Sequence, residues 1–420
     1  MSSASKLSPL GQSEKVESLT TPRLCSRSAG QRLEMSIRVI DDFADLEEYI
    51  QAWEELALAA LEPNPFYESW MLMPALSSFG RDKDLRIVLV FASDQAQPSK
   101  PPVLSGMFPL ERRSRYKGIP VKTLSLWKHL FCFLCTPLIR AECAQECLSA
   151  FFDWLASDSN PSPLMEFNFI AGEGPFQRLL VGQFHNRSSL TFVSESFVRA
   201  LFRPAADADT YLRQAISRGH RKDMNRKQRR LSEMGQLEYK MLELDQDPGS
   251  WIEEFLQVES SGWKGAERSA FASKEEYRNF FINAARGAHR RGRLMILASR
   301  VAGRPVAMKC NFLAGRGSFA FKIAFDEDYA HFSPGMLLEI ENIRRLHATA
   351  DIGWMDSCAV PDHFMINRLW PDRRIIQTVL VSTGKRPGEL VVSAMPLLRW
   401  LKRLFARGGK QSSNPREDRT

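Results

Sequence analysis

The stretch FAFKIAFDEDYAHFSPGMLLEIENI, Phe319–Ile343, decides the fold. It reads as a strand, a turn and a helix. Alternation along Gly317–Asp326 predicts a strand with Lys322 on the face of Ala320, Ala324 and Asp326, opposite Phe319, Phe321 and Phe325. That polar face is either a wall of a site or a solvated surface. Met336–Ala348 carries apolar residues at helical spacing. Between the two, Ser333 suits a helix N-cap, Pro334 the first helical position, and Gly335 lets a ligand approach the backbone. A strand that ends in such a turn and opens a helix presents free N–H groups and a positive dipole end, a combination that binds phosphate or pyrophosphate. The same residues also read as an ordinary capped helix start, and spacing leaves both readings open.

Working outward, Trp251–Gln257 and Lys274–His289 read as helices. Arg293–Val301 and Pro305–Leu313 read as a hairpin turned by Gly303, Arg304 and Pro305, and Gly353–Val360 as a further strand. A similar order stands in the first half. Ser36–Ile40 is strand-like, Asp41–Leu61 has helical spacing and Pro63-Asn64-Pro65 stops it. Strands are expected at Leu85–Ala92, Pro102–Glu111 and Met165–Ile170, with a helix at Ala144–Ala156. LRIVLVFAS…PPVLSGMFPLE lies over GRLMILASRVAGRPVAMKCNFL as strand, turn, strand. FFDWLASDSNPSPLMEFNFIAGEGPFQRLL lies over NIRRLHATADIGWMDSCAVPDHFMINRLW as helix, strand, loop, short helix. The element order is that of a duplicated α/β unit, and a repeat of this length means a doubled domain rather than a solenoid. Between the halves, Arg218–Arg230 (RGHRKDMNRKQRR) has seven Lys or Arg in thirteen residues. With Tyr211, Leu212 and Ile216 before it and Leu231 after it, it reads as one connecting helix with a basic face.

The chain has 420 residues, enough for two domains. Its 44% apolar and 25% charged residues are those of a globular protein, and no apolar run is long enough to span a membrane as a helix. Residues 1–34 lack a continuous apolar segment and read as a disordered lead-in rather than a signal peptide. Seven cysteines, an odd number, point to reduced thiols in a cytoplasmic setting. A net charge of +8 favours anionic partners without choosing among them.

Candidate chemistry clusters in the second half. ESSGWKGAERSAF, Glu259–Phe271, places Trp263 and Lys264 between glycines, in a loop able to bring a Trp, a Lys and a Glu together or in a surface loop with an anchoring Trp. Asp356, near a strand end, has the chemistry of a general base and equally of a structural hydrogen-bond acceptor. Cys132, Cys135, Cys143 and Cys147 have a spacing open to zinc, but Cys132 and Cys135 sit in the apolar LFCFLCTPL and read better as small buried hydrophobes. Cys358 is a weaker candidate nucleophile.

SGWKG…SAF, FKIAFDEDYAHFSPGMLLEIENI and a later Asp and Trp together resemble the C-terminal half of the CelD-type acyltransferases, GNAT-superfamily enzymes related to the FemAB-type aminoacyltransferases. ISRGHRKDMNRKQRRL resembles the segment joining their halves, and NPFYESWML their N-terminal pattern; the resemblance covers roughly residues 36–385. It implies an α/β fold of two tandem GNAT-like domains with mixed β-sheets flanked by helices: 35–203 and 236–390, joined by a basic helix at 204–235 and followed at 391–420 by an amphipathic basic helix and tail. It implies acyl transfer, without a metal, from acetyl-CoA or another acyl-CoA to an amine or hydroxyl. The acceptor would be a small molecule, a saccharide or a lipid-linked precursor in polysaccharide or cell-envelope synthesis. Ser333, Pro334, Gly335 and Met336 would then cradle the donor pyrophosphate. Asp356 would be the base, Lys322 would bind anionic groups, Lys264 would position the acceptor, and Glu259, Trp263 and Asp326 would line the substrate side. The usual Q/R-x-x-G-x-G/A loop is absent, so Ser-Pro-Gly-Met must replace it. Ser357 follows Asp356 where the family often has an aromatic, and Asn367-Arg368 precede Leu369-Trp370 where it often has a Lys.

Other readings are an aminoacyl-tRNA-dependent transferase and a non-catalytic surface binder. Arg218–Arg230 and His289–Arg293 would serve a nucleic acid, but they lack interleaved aromatics, so none is expected. Pro396–Phe405 with Arg407 has the pattern of an interfacial basic helix, a peripheral contact with the inner membrane face through 396–407, or of a terminal helix docked on the body.

Overall fold

The computed structural model describes residues 33–261, 271–349 and 351–408. The first half runs β1 (Leu33–Ile40), α1 (Ile50–Leu58), α2 (Ser69–Phe79), β2 (Leu85–Asp94), β3 (Val103–Arg113), β4 (Thr123–Leu126), β5 (Leu138–Ile139), α3 (Ala144–Ala156), β6 (Leu164–Ala171), α4 (Pro175–Asn186) and β7 (Thr191–Phe202). After α5 (Ala208–Ala215) and α6 (Arg218–Glu233) the order returns as β8 (Leu237–Met241), α7 (Pro248–Ser260), α8 (Glu275–His289), β9 (Leu294–Val301), β10 (Arg304–Ala314), β11 (Gly317–Phe325), α9 (Pro334–Ala348), β12 (Trp354–Asp356), α10 (Phe364–Leu369) and β13 (Asp372–Ser382). A last helix, α11 (Arg386–Gly408), follows.

These strands form one mixed sheet in the order β1-β2-β3-β4-β6-β13-β7-β12-β11-β10-β9-β8, with β5 beside β3. Within it β4 runs parallel to β6 and β11 parallel to β12, and the other neighbours are antiparallel. Strand β1-β2-β3-β4-β6 of the first half therefore answers to β8-β9-β10-β11-β12 of the second, and the predicted duplication is present. The two closing strands are exchanged. β7, which ends the first half, pairs with β12 of the second, and β13, which ends the second, pairs with β6 of the first. A boundary at 203 or 236 follows the chain but not the sheet.

The core also crosses the halves. Phe131 lies 4.7 Å from Phe271 and 5.5 Å from Phe280, and Phe271 stacks on Phe281 at 4.6 Å. Offset and edge-on rings at such spacings add to the burial of large apolar faces. The opposite face of β9–β11 is covered by α5, α6 and α9 through residues such as Met224, Leu231, Leu337 and Leu338.

Some local expectations need correction. Asp41–Leu61 is a tight turn, Phe43–Tyr49, and then α1, because the Asp42 carboxylate accepts the Ala44 N–H and starts the chain turning early. The connector is two helices, since Ser217 breaks it and accepts the His220 N–H as a fresh cap. The β9–β10 turn is Ala302-Gly303, both at positive φ, and Pro305 belongs to β10. The strand expected at Gly353–Val360 ends at Asp356, two residues before Cys358 takes φ 52°. α11 begins ten residues before Pro396: Val391, Val392 and Met395 dock on the sheet, and Leu397, Leu398 and Trp400 face outward. Among the described residues no helix is long and apolar enough to cross a membrane.

Candidate active site

Strands β11 and β12 pair over three residues each, from Gly317 opposite Trp354 to Phe319 opposite Asp356. Beyond that they part. β11 continues to Phe325, while the chain after β12 turns away, the Ser357 N–H going to the Ala200 carbonyl of β7. Among the described residues no strand pairs with β11 on that side past Phe319, and a cleft of about 170 Å³ opens there. Ala320–Ile323 line one side, Ser357–Ala359, His363, Met365 and Ile366 the other, with Lys309 and Glu339 behind.

A bulge sharpens this geometry. The register passes from Cys310 opposite Lys322 to Asn311 opposite Ala320, so Phe321 is an extra residue in β11. An inserted residue shifts every later side chain to the other face. Phe319, Phe321 and Ala324 lie in the aromatic core, while Ala320 and Phe325 lie on the α9 face. Lys322 points to the aromatic side, its ammonium 3.9 Å from the Phe271 ring and paired with the Glu259 carboxylate of α7. The expected sharing of a face by Lys322, Ala320 and Asp326 is overturned by the bulge. Glu259 is buried and its other oxygen accepts the Phe271 N–H at 2.8 Å. Burial lowers the Lys322 pKa, and Glu259 opposes that shift. Trp263 and Lys264, the other candidates of this segment, lie outside the described residues.

Asp356 is in a different situation. It is fully buried, and both oxygens are occupied. One accepts the Cys358 N–H at 3.0 Å and lies 2.6 Å from Arg199 Nε as an ion pair; the other accepts Arg199 Nη2 at 2.7 Å and Arg374 Nη1 at 2.8 Å. Burial alone would raise its pKa, but the two guanidiniums hold it below the usual carboxylate range. A carboxylate so engaged is a poor proton acceptor; it ties β12 to the exchanged strands β7 and β13. Asp326 is likewise used internally, taking the Asp328 N–H at 3.1 Å and pairing with Arg304 at 2.6 Å. Burial beside Asp356 raises the Cys358 thiol, which disfavours a nucleophilic thiolate.

The Ser-Pro-Gly turn opens α9 as expected. Ser333 sits at φ 54°, and its carbonyl takes the Met336 and Leu337 N–H groups. Its hydroxyl does not cap the helix but accepts Lys227 Nζ of α6 at 2.9 Å. Behind the cleft Lys309 and Glu339 form a buried pair at 2.7 Å, continued through Asn342 to Asn311. Sequence reasoning missed this network. The signal was there: polar residues inside the apolar runs VAMKCNFL and GMLLEIENI.

The first half has no such cleft. Strands β4 and β6 also part after three paired residues, but the segment after β4 takes the vacated edge. The Cys135 N–H bonds the Phe169 carbonyl, Thr136 Oγ1 accepts the Ala171 N–H, and Trp127, Cys132, Leu134 and Cys135 are buried. The apolar run LFCFLCTPL is a plug, and its cysteines are core. Among the described residues there is no group of three or more His, Cys, Asp or Glu placed to hold a metal.

Residues 218–364 match the family described as acetyltransferase (GNAT) domain. The chain carries a GNAT acyltransferase domain. The match begins at the first residue of α6, so the basic helix belongs with the GNAT unit, and it spans the open cleft. Among solved structures, FemX is similar at 8% identity with a TM-score of 0.51, covering 79% of this chain and 95% of that one. A conserved protein of unknown function from Bacteroides thetaiotaomicron is similar at 10% identity with a TM-score of 0.48, covering 83% and 99%. A tandem GNAT protein from the clavulanic acid biosynthesis pathway is similar at 9% identity with a TM-score of 0.38, covering 84% and 99%. At 8% identity the likeness to FemX is one of fold. No curated protein matches the sequence. With the internal repeat, the fold is an α/β tandem of GNAT-like units around one mixed sheet.

Proposed function

We propose that this chain transfers an acyl group, acetyl in the first instance, from acyl-CoA to an amine or hydroxyl acceptor, and that the donor lies in the cleft between β11 and β12. The observation that carries the reading is the parting of these two strands beside the Phe321 bulge, open in the half that matches the GNAT domain and plugged in the other. The thioester arm would lie in the cleft beside Ala320 and Phe321 of β11, where a backbone N–H would polarise the thioester carbonyl. The pyrophosphate would lie at the Ser333–Met336 turn.

In the transfer, the acceptor nitrogen or oxygen bonds to the carbonyl carbon, the carbon–sulfur bond breaks, and the thiolate takes a proton. The proton lost by the acceptor passes to the Lys322–Glu259 pair, which replaces Asp356 as the acid–base group. The pair is net-neutral; on taking the proton Glu259 becomes neutral, and the Lys322 ammonium left behind lies against the Phe271 and Phe131 rings until the proton passes to the leaving thiolate. The CelD-type resemblance supports a saccharide or envelope-precursor acceptor. The FemAB-type relationship that the sequence resemblance implies keeps an aminoacyl-tRNA donor as the second reading.

The test is calorimetric titration with acetyl-CoA. Ala359 is half-buried in the cleft wall, so Ala359→Trp fills the cleft without entering the core. Saturable binding to the wild type, lost in Ala359→Trp at an unchanged melting temperature, is the expected result. Equal binding by both proteins would remove the donor from this cleft.

A further inference from the structure

We infer that Lys309 and Glu339 form an acyl-selecting subsite at the back of the cleft, one that takes a short acyl chain carrying a hydroxyl group. The inference rests on the acyl-CoA reading of the cleft and names the acyl group. The cleft passes the edge of β11 and touches both faces of the sheet. Phe321 and Lys322 line it on the aromatic face, and Ala320, Lys309 and Glu339 on the α9 face. With the acceptor on the side of the Lys322–Glu259 pair, the acyl chain turns to the other face, where Met365 and Ile366 stand with Lys309 and Glu339. The cleft holds about 170 Å³, below the roughly 300–1,000 Å³ of sites that enclose a drug-sized ligand, so the chain is short.

The side chains of Lys309 and Glu339 are 3% and 0% exposed, and their charged ends lie 2.7 Å apart. Replacing a buried ion pair by apolar residues of like volume is often neutral or stabilising, so the joining of β10 to α9 does not by itself account for the charges. Nor are the charges used up. An ammonium has three N–H donors and a carboxylate about four acceptor positions. Among the described residues, Lys309 Nζ donates one hydrogen bond, to Glu339 Oε2, and otherwise faces the Trp370 ring at 5.7 Å. Glu339 accepts one more, from Asn342 Nδ2 at 2.8 Å. Buried polar groups are nearly always satisfied, so spare donors and acceptors on a cleft wall point to a polar group of the ligand. A carboxylate there would lie against Glu339 and an ammonium against Lys309, and a plain alkyl chain would cover the pair without answering it. A hydroxyl both accepts and donates, which matches an ammonium and a carboxylate side by side, and it adds no charge.

The experiment compares butyryl-CoA with each enantiomer of 3-hydroxybutyryl-CoA, which differs from it by one hydroxyl, by calorimetry on the wild type and on Lys309→Met/Glu339→Gln, with melting curves as the check on folding. The wild type should bind one enantiomer about ten-fold tighter than butyryl-CoA or more, the worth of a hydrogen bond to a charged group. The double variant, which keeps the volume and an acceptor for Asn342, should bind all three ligands alike. A wild type that binds butyryl-CoA as tightly as either hydroxy compound overturns the subsite while leaving the donor reading intact, and so does a preference that survives in the folded double variant. A wild type that binds no acyl-CoA overturns both. The wild-type comparison stands without any variant, so it decides the proposal even where the double variant does not fold.

Discussion

Replacing Asp356 by Ala separates two roles that the sequence left open. In the structure the carboxylate takes three hydrogen bonds, two of them from guanidiniums, and a further ion-pair contact with Arg199 Nε, with Arg199 2% exposed and Arg374 9% exposed. Removing it leaves two buried cations facing each other. Breaking a buried ion pair by deleting one partner costs about 3–5 kcal/mol, and with two arginines stranded the upper end applies. An unfolding entropy of about 2.1 cal/mol/K per residue gives roughly 0.9 kcal/mol/K for a chain of this length, so the melting temperature should fall by about 5 °C. Asp356→Asn keeps the shape and loses the charge, and should fall part of the way. The sign with pH follows from the lowered pKa: the stabilisation is present above the usual carboxylate pKa and is lost as pH falls through the lower folded value. Scanning calorimetry at pH 7, with turnover measured well below the transition, is the assay. Both variants should be less stable yet turn over per folded molecule within a few-fold of wild type. A variant that melts like wild type and is inactive would refute the structural role and restore Asp356 as the base.

Lys322→Met should strand the buried Glu259, cost about 2–4 kcal/mol and abolish turnover. Lys322→Met/Glu259→Gln should recover much of the stability and none of the activity, a split that a double-mutant cycle in melting and turnover reads directly. Burial pushes Glu68 up to about 7, against an ordinary 4.5. The folded state thus holds its proton longer, and stability should fall between those pH values; Glu68→Gln, followed by denaturant titration, should flatten that slope by up to about 3 kcal/mol. Burial lowers His129 from 6.5 to about 3, so the reverse holds there: stability should fall as pH drops below about 6.5, because only the unfolded chain takes the proton. Melting curves across that range on His129→Phe, which cannot titrate, should show a shallower acid loss.

The hairpins β2–β3 and β9–β10 and the helices α3, α7, α8 and α9 were legible because their periodicity is local. The duplication was legible for the same reason: it needs only the order of elements. β7 and β13 were not read, although they are among the longest strands. Their Glu and Arg residues break the apolar pattern, since Arg199 and Arg374 find their carboxylate partner in Asp356, outside both strands. The Phe321 bulge was equally hidden, because a strand's own alternation does not reveal an extra residue against its neighbour. That single insertion moved Lys322 from the predicted polar wall to an aromatic pocket and gave it Glu259 as partner. The polar network behind the cleft failed for a third reason: Lys309, Glu339 and Asn342 are singly unremarkable and acquire meaning only when β10 meets α9.

The exchange of β7 and β13 also explains why a half without a cleft is kept beside a half with one. β12 is three residues long and ends where the cleft begins, too short to hold its own position. What fixes it is β7 from the first half, the Asp356 clamp to β7 and β13, and Arg199 itself. That arginine also donates to the Phe133 carbonyl, inside the plug that fills the first half's vacant edge. The closed duplicate thus sets the far wall of the open cleft through one side chain. A change in the plug that shifted Phe133 would act through Arg199 and Asp356 on stability first, with turnover per folded molecule within a few-fold of wild type. By this route the two halves function as one unit, and a second half expressed alone from residue 236, lacking both β7 and α6, would lose the clamp and the cleft together.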